Sequence, residues 1–168
     1  MNPTRRELLQ GGALAAAGAL VIAPRILLAQ SPPPAVPDRG PALDKELVRQ
    51  FVVAAHANLE RTKEMLEPQP ALVNATWDWG GGDWETGLGG ASHMGSREIA
   101  EYLLGKGARM DVFCAAMLGR IEIVKAFLAA DPQVVHLRGP HGIPLVRHAQ
   151  AGGQQAVVEL LVAAGAKV

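Results

Sequence analysis

All three tryptophans of the chain, Trp77, Trp79 and Trp84, fall within eight residues, with three carboxylates among them, Asp78, Asp83 and Glu85. An indole brings a large apolar area and a single N–H donor. Burying one, at roughly 150–250 Å² and about 25 cal/mol/Å², stabilises by some ~4–6 kcal/mol as an upper bound. Three exposed indoles on a glycine-rich loop would be a liability. Such a segment either folds back over a core, anchors a partner protein, or stacks on a flat ligand such as a sugar whose hydroxyls the carboxylates bond. Gly80-Gly81-Gly82 within it is not a phosphate loop, because no Lys-Ser/Thr follows and no strand is expected before it.

Other reactive side chains are sparse. His136, His141 and His148 are spaced five and seven apart, no H-x-x-x-H occurs, and Cys114 is the one cysteine. That spacing names no metal site and no cofactor. A meeting of His93, His141 and His148 in space stays open. Cys114, beside Val112 and Phe113, reads as a small packing residue rather than a nucleophile. Asp83 and Glu85 lie on one loop, whereas glycosidase carboxylates flank a cleft. The expectation is a protein that is not an enzyme.

The elements that must position these groups occupy only part of the chain. Arg5 and Arg6 precede a short apolar stretch, Gly11 to Ala23, with Arg25 just beyond and small residues near Ala29. This is too short to span a membrane comfortably and has the parts of an export signal, residues 1–30. The paired arginines resemble the bacterial twin-arginine signal, which implies export of a folded protein to the periplasm or outside the cell. Residues 31–42 hold five prolines and read as a semi-rigid linker.

From residue 43 to 168 a helix–helix–loop pattern repeats. Gly142 to Gly152 contains Pro144 at a helix start and Gly152 as a helix stop, followed by an apolar helix through Val157, Val158, Leu160 and Leu161, then Gly165-Ala166. The same order appears in Leu88–Gly95 with Arg97–Leu104, in Val112–Gly119 with Ile121–Leu128, and in Phe51–Ala57 with Leu59–Leu66. The pattern resembles the ankyrin repeat: a turn, a short inner helix with paired small residues, a glycine break, and an outer helix ending in Leu-Leu and Gly-Ala. Four units in tandem, 43–73, 74–108, 109–138 and 139–168, carry the resemblance. It implies an all-α solenoid of stacked helix-turn-helix units, with short or irregular fingers, that holds partners on its inner helices and fingers.

Departures from the repeat are specific. Gly119 to Gly152 is 33 residues, but Gly95 to Gly119 is only 24, so Asp111 leads almost directly into an inner helix. Ala57 to Gly95 is 38, and the surplus is the Trp-rich finger. The last outer helix has little chain left to cover it. His148, at a position the family usually gives to Ala, reads as a buried histidine bonded to a loop carbonyl. His56, His93 and Met94 fall where the resemblance places the groove, as do Met117 and Leu118.

The whole chain balances 16 basic against 16 acidic residues, which excludes a nucleic-acid binder led by a basic surface. Removing Arg5, Arg6, Arg25 and Glu7 leaves 13 against 15, so the repeat region is slightly acidic. The expected function is non-catalytic protein binding in the cell envelope by a monomer, with no stable membrane insertion once the signal is cleaved. The expected contact residues are Trp77, Asp78, Trp79, Asp83, Trp84, Glu85, His93, Met94 and Arg147, and the expected partner is an unidentified protein with an apolar, partly positive surface. A sugar or small-ligand receptor, and an accessory protein for an exported enzyme, are the alternatives.

Overall fold

The computed structural model describes residues 40–168. Residues 1–30 with Arg5 and Arg6, and the linker up to residue 39, lie outside the described residues. The described part is mostly helical. Its first helix pair is α1 (Lys45–Ala57) with α2 (Leu59–Leu66), and its second is α3 (Gly87–Met94) with α4 (Arg97–Gly105). The third is α5 (Val112–Met117) with α6 (Ile121–Ala130), and the fourth is α7 (Leu145–Ala151) with α8 (Gln155–Ala163). None of these helices is long and apolar enough to cross a membrane.

Helix starts follow from capping side chains. Asp44, Asn58, Thr86 and Asp111 each accept the backbone N–H three residues on, at 2.8, 2.9, 3.0 and 2.8 Å. Each satisfies a donor that the first helical turn leaves unpaired. Because Asp111 caps α5 directly, no projecting loop separates α4 from α5.

The first helices of the pairs touch in succession, α1 on α3, α3 on α5 and α5 on α7. Small residues permit that approach: Ala55, Ala91, Ser92, Ala115, Ala116 and Ala149 are fully buried. α3 forms despite Gly87, Gly89 and Gly90, residues of poor helix propensity. Close contact explains two of them. A Cβ at Gly87 would lie 2.9 Å from the Phe51 ring, and one at Gly90 would lie 2.7 Å from Nδ1 of His56. Phe51, Leu72 and Leu103 fill the core of the first two pairs, and Val124, Leu145 and Leu161 that of the last two. Met117 and Leu118 are buried in this packing and do not face a groove. On α8, Val162 is 44% exposed, comparable with Val53 (47%) on α1 and Phe127 (42%) on α6.

The Trp-rich finger is a β-hairpin, which the helix–loop reading did not foresee. β1 (Thr76–Asp78) pairs antiparallel with β2 (Trp84–Thr86) in the register Thr76↔Thr86, Trp77↔Glu85 and Asp78↔Trp84. A strand therefore does precede Gly80-Gly81-Gly82, although no Lys-Ser/Thr follows. These glycines all have positive φ and make the turn, across which the Trp79 backbone N–H donates to the Asp83 carbonyl at 2.9 Å.

Candidate functional site

Strand alternation divides the finger into two faces. Residues opposite one another share a face, so Trp77 goes with Glu85, while Asp78 goes with Trp84. Glu85 points inward and is 1% exposed; Trp84 points outward and is 60% exposed. Glu85 was expected on a contact surface, and its burial removes it from any surface a partner could touch.

The buried carboxylate is fully engaged. Trp79 Nε1 donates to Glu85 Oε2 at 2.7 Å. Nε2 of His93, on α3, lies 2.9 Å from Glu85 Oε1 and 3.2 Å from Nε2 of His56, on α1. His56 Nε2 and His141 Nε2 each stand 3.4 Å from Glu85 Oε2. Burial pushes the Glu85 carboxyl up, but the His93 and Trp79 hydrogen bonds and the electrostatic influence of His56 outweigh it and hold the group below its ordinary value.

His141 arrives from the loop before α7. Its backbone N–H donates to Asp83 Oδ1 at 2.8 Å, and its ring Nδ1 lies 2.9 Å from Asp83 Oδ2. The backbone bond, then the ring bond, hold the Asp83 carboxyl below its ordinary value. Asp83 thus ties the hairpin to the loop before α7 instead of waiting for a partner.

Aromatic rings enclose the cluster. The Trp79 ring lies 6.4 Å from those of His56 and Trp77 and 5.7 Å from that of His141. The His93 and His141 rings are 5.3 Å apart. His56, Glu85, His93 and His141 each offer one ligand-type atom, and these four atoms lie within 4.8 Å of one another. The meeting of His93 with His141 left open by the sequence therefore occurs. His148 is near, its ring 6.4 Å from that of His93, but it is fully buried and neither ring nitrogen has a hydrogen-bond partner. No loop carbonyl reaches either nitrogen at good hydrogen-bonding geometry; the Ile143 backbone, in the loop before α7, acts on the ring only slightly.

The cluster draws on α1, β2, α3 and a loop, so a search for two ligands on one helix could not find it. A usable signal existed, since His56 and His93 sit at matching positions of consecutive helix pairs. The remaining expected residues are dispersed. Trp77 packs against the first core, Met94 is 53% exposed, and Arg147 is exposed with Nη1 donating to Gln150 Oε1 at 2.9 Å. Asp78 Oδ1 accepts the Gly80 N–H at 2.8 Å.

Cys114 is fully buried, and burial pushes its thiol up to about 11. The thiolate is the reactive form. Native protein is accordingly expected to resist a water-soluble thiol reagent at pH 7.5, with full labelling only in denaturant; rapid stoichiometric labelling of the folded chain would refute this. No family model matches the chain, and no curated protein matches it.

Proposed function

We propose that residues 43–168 are an ankyrin-like solenoid whose function is non-catalytic protein binding, in a chain exported by a twin-arginine-like signal to the periplasm or cell envelope. The solenoid reading is supported by the order of packing, in which the first helix of each pair rests on the next through buried small residues. One observation carries the binding reading. Trp84 stands 60% exposed at the hairpin edge and borders two open clefts. One, of about 410 Å³, is lined by Leu43, Val48 and Trp77; the other, of about 330 Å³, is lined by Phe113 and Pro140. An exposed indole flanked by recesses is the kind of anchor that dominates interface energy.

The partner's chemistry narrows accordingly. Asp83 and Glu85 are used internally, so Asp78 is the carboxylate of the finger left to orient a positive group beside Trp84. Met94 and Arg147 remain accessible. The fitting partner is a protein that presents an apolar side chain to Trp84, with one basic group nearby.

Trp84→Ala tests this. Removing a side chain so exposed is expected to change unfolding stability by less than about 1 kcal/mol. The same change is expected to abolish recovery of the partner when the full chain is used for affinity purification from the native envelope. A large loss of stability with the partner still recovered would assign Trp84 to the fold instead. Indole fluorescence that responds to oligosaccharides, with no protein recovered, would replace this reading with the carbohydrate one.

A further inference from the structure

We propose that His56, Glu85, His93 and His141 bind one divalent transition-metal ion of the zinc type. Distances come first. In a tetrahedral site with bonds of about 2.0–2.1 Å, neighbouring ligand atoms stand about 3.3 Å apart. Here His56 Nε2 stands 3.2 Å from His93 Nε2, and Glu85 Oε2 stands 3.4 Å from both His56 Nε2 and His141 Nε2, while His93 Nε2 lies 2.9 Å from the other carboxylate oxygen, Oε1; with one atom from each residue the whole set lies within 4.8 Å. Three imidazoles thus gather on one buried carboxylate at a spacing that an ion could bridge.

Hydrogen placement is the second argument. His56 Nδ1 lies 2.8 Å from the Val52 carbonyl oxygen, which can only accept, so Nδ1 carries the hydrogen. By the same logic the Asp83 carboxylate places the hydrogen of His141 on Nδ1. In its neutral form each of these rings then turns a bare Nε2 lone pair toward Glu85 Oε2. Two nitrogen acceptors and a carboxylate oxygen then face one another; the Trp79 indole N–H meets only that oxygen, and His93 Nε2, between Glu85 Oε1 at 2.9 Å and His56 Nε2 at 3.2 Å, has at most one hydrogen to donate. A cation among them converts mutual repulsion into ligation. Outer partners that fix the tautomer of a metal-binding histidine, here a carbonyl and a carboxylate, are the usual support of such sites.

Backbone and access agree. His141 is the one non-glycine residue with positive φ (58°) among the described residues, and this strained conformation aims its ring at the cluster. Side-chain exposure rises from 0% for Glu85 and 8% for His93 to 21% for His56 and 36% for His141, so the cluster opens to solvent on one side. That provides an entry path. Three imidazoles and one carboxylate suit zinc and its first-row neighbours; calcium and magnesium demand a shell of oxygens.

The test uses the full chain, stripped with a chelator and titrated with ZnCl₂ in a calorimeter, and with Co²⁺ followed by visible absorption. One ion per chain is expected, with micromolar or tighter affinity and the Co²⁺ bands of a low-coordinate nitrogen–oxygen site. His141→Gly removes a ligand at a φ that glycine adopts freely, so the fold is retained, and zinc affinity is expected to fall at least about 10-fold. His93→Ala, checked for folding by circular dichroism, is expected to abolish binding. His136→Ala, remote from the cluster, is expected to leave it unchanged. No zinc binding by the wild-type chain, equal binding in His141→Gly, or an equal response to Ca²⁺ would each overturn the proposal and leave a proton-bridged cluster in its place. None of these readouts involves the protein partner.

Discussion

Replacing Gly152 with alanine is expected to lower unfolding stability by at least about 3 kcal/mol. For a domain of this size that corresponds to a melting temperature lower by roughly 10 °C. A Cβ at this position would overlap the carbonyl oxygen of Met117 and stand 2.7 Å from its carbonyl carbon. Both atoms are backbone, so no side chain can move aside; α7 and α5 must separate. Separation would open the contact between two helices whose facing residues, Ala115, Ala116, Val146 and Ala149, are at most 1% exposed. Backbone freedom is not the cause, since Gly152 has φ −82°.

Two neighbouring glycines provide the comparison. Gly153 has φ 67° and open space around its Cβ, so alanine there is expected to cost only about 1 kcal/mol for the left-handed conformation. Gly105 ends α4 with nothing within 4 Å of a Cβ, and alanine there is expected to be neutral or mildly stabilising. Urea unfolding of the three variants gives the ranking. A Gly152→Ala chain as stable as Gly105→Ala would show that α5 and α7 do not approach as described.

Acid is expected to destabilise the domain through His148, well above the carboxylate range. Burial lowers this imidazole from 6.5 to about 4, the electrostatic influence of His93 adds to the effect, and Glu85 and the Ile143 backbone offset it only in part. The folded chain therefore binds the His148 proton less readily than the unfolded chain. Its share of stability is complete above pH 6.5, declines as pH falls, and is lost near pH 4. A shift of this size is worth about 3 kcal/mol in total, and about 2 kcal/mol of it is expected to be gone by pH 5. His148→Leu keeps the volume and removes two unpartnered ring nitrogens. It is expected to be at least as stable at pH 7 and to lose this part of the pH 5–7 slope. Glu85, whose carboxyl is lowered, contributes stability that is lost only below about pH 4.5, outside that window. The difference between wild type and His148→Leu thus isolates one group, and identical slopes would refute the assignment.

Much of the helical layout was legible in the residues. Glycine breaks and paired small residues such as Ala115-Ala116 are local signals whose physics does not depend on distant chain; the capping side chains Asp44, Asn58 and Thr86 are equally local, although the repeat pattern did not point to them. Spacing also located the irregularities: the missing nine residues put Asp111 directly at the start of α5. Gly152, however, reads from sequence as a helix stop. The stop is real, since α7 ends at Ala151 with Gly152 as its C-cap, but the left-handed residues that follow these helices are Gly95, Gly119 and Gly153, and Gly152 serves a backbone contact as well. A stop and a close approach ask for the same residue, so sequence alone cannot separate them.

The finger marks the boundary between what the sequence determined and what the fold decided. Composition established that Trp77 to Glu85 is a site of unusual apolar and acidic density, and that the density had to be covered or used. It left the sorting of those residues open, because that depends on strand pairing, and a register shift by one residue exchanges the two faces. Pairing Trp77 with Glu85 sent the carboxylate inward and Trp84 outward. Only the stacking of α1 on α3, with Gly90 leaving room for the His56 ring, then brought histidines 37 residues apart to 3.2 Å. Helix periodicity and capping are short-range and can be read along the chain. A cluster built from α1, β2, α3 and a loop exists only where long-range packing closes, and no local spacing records it.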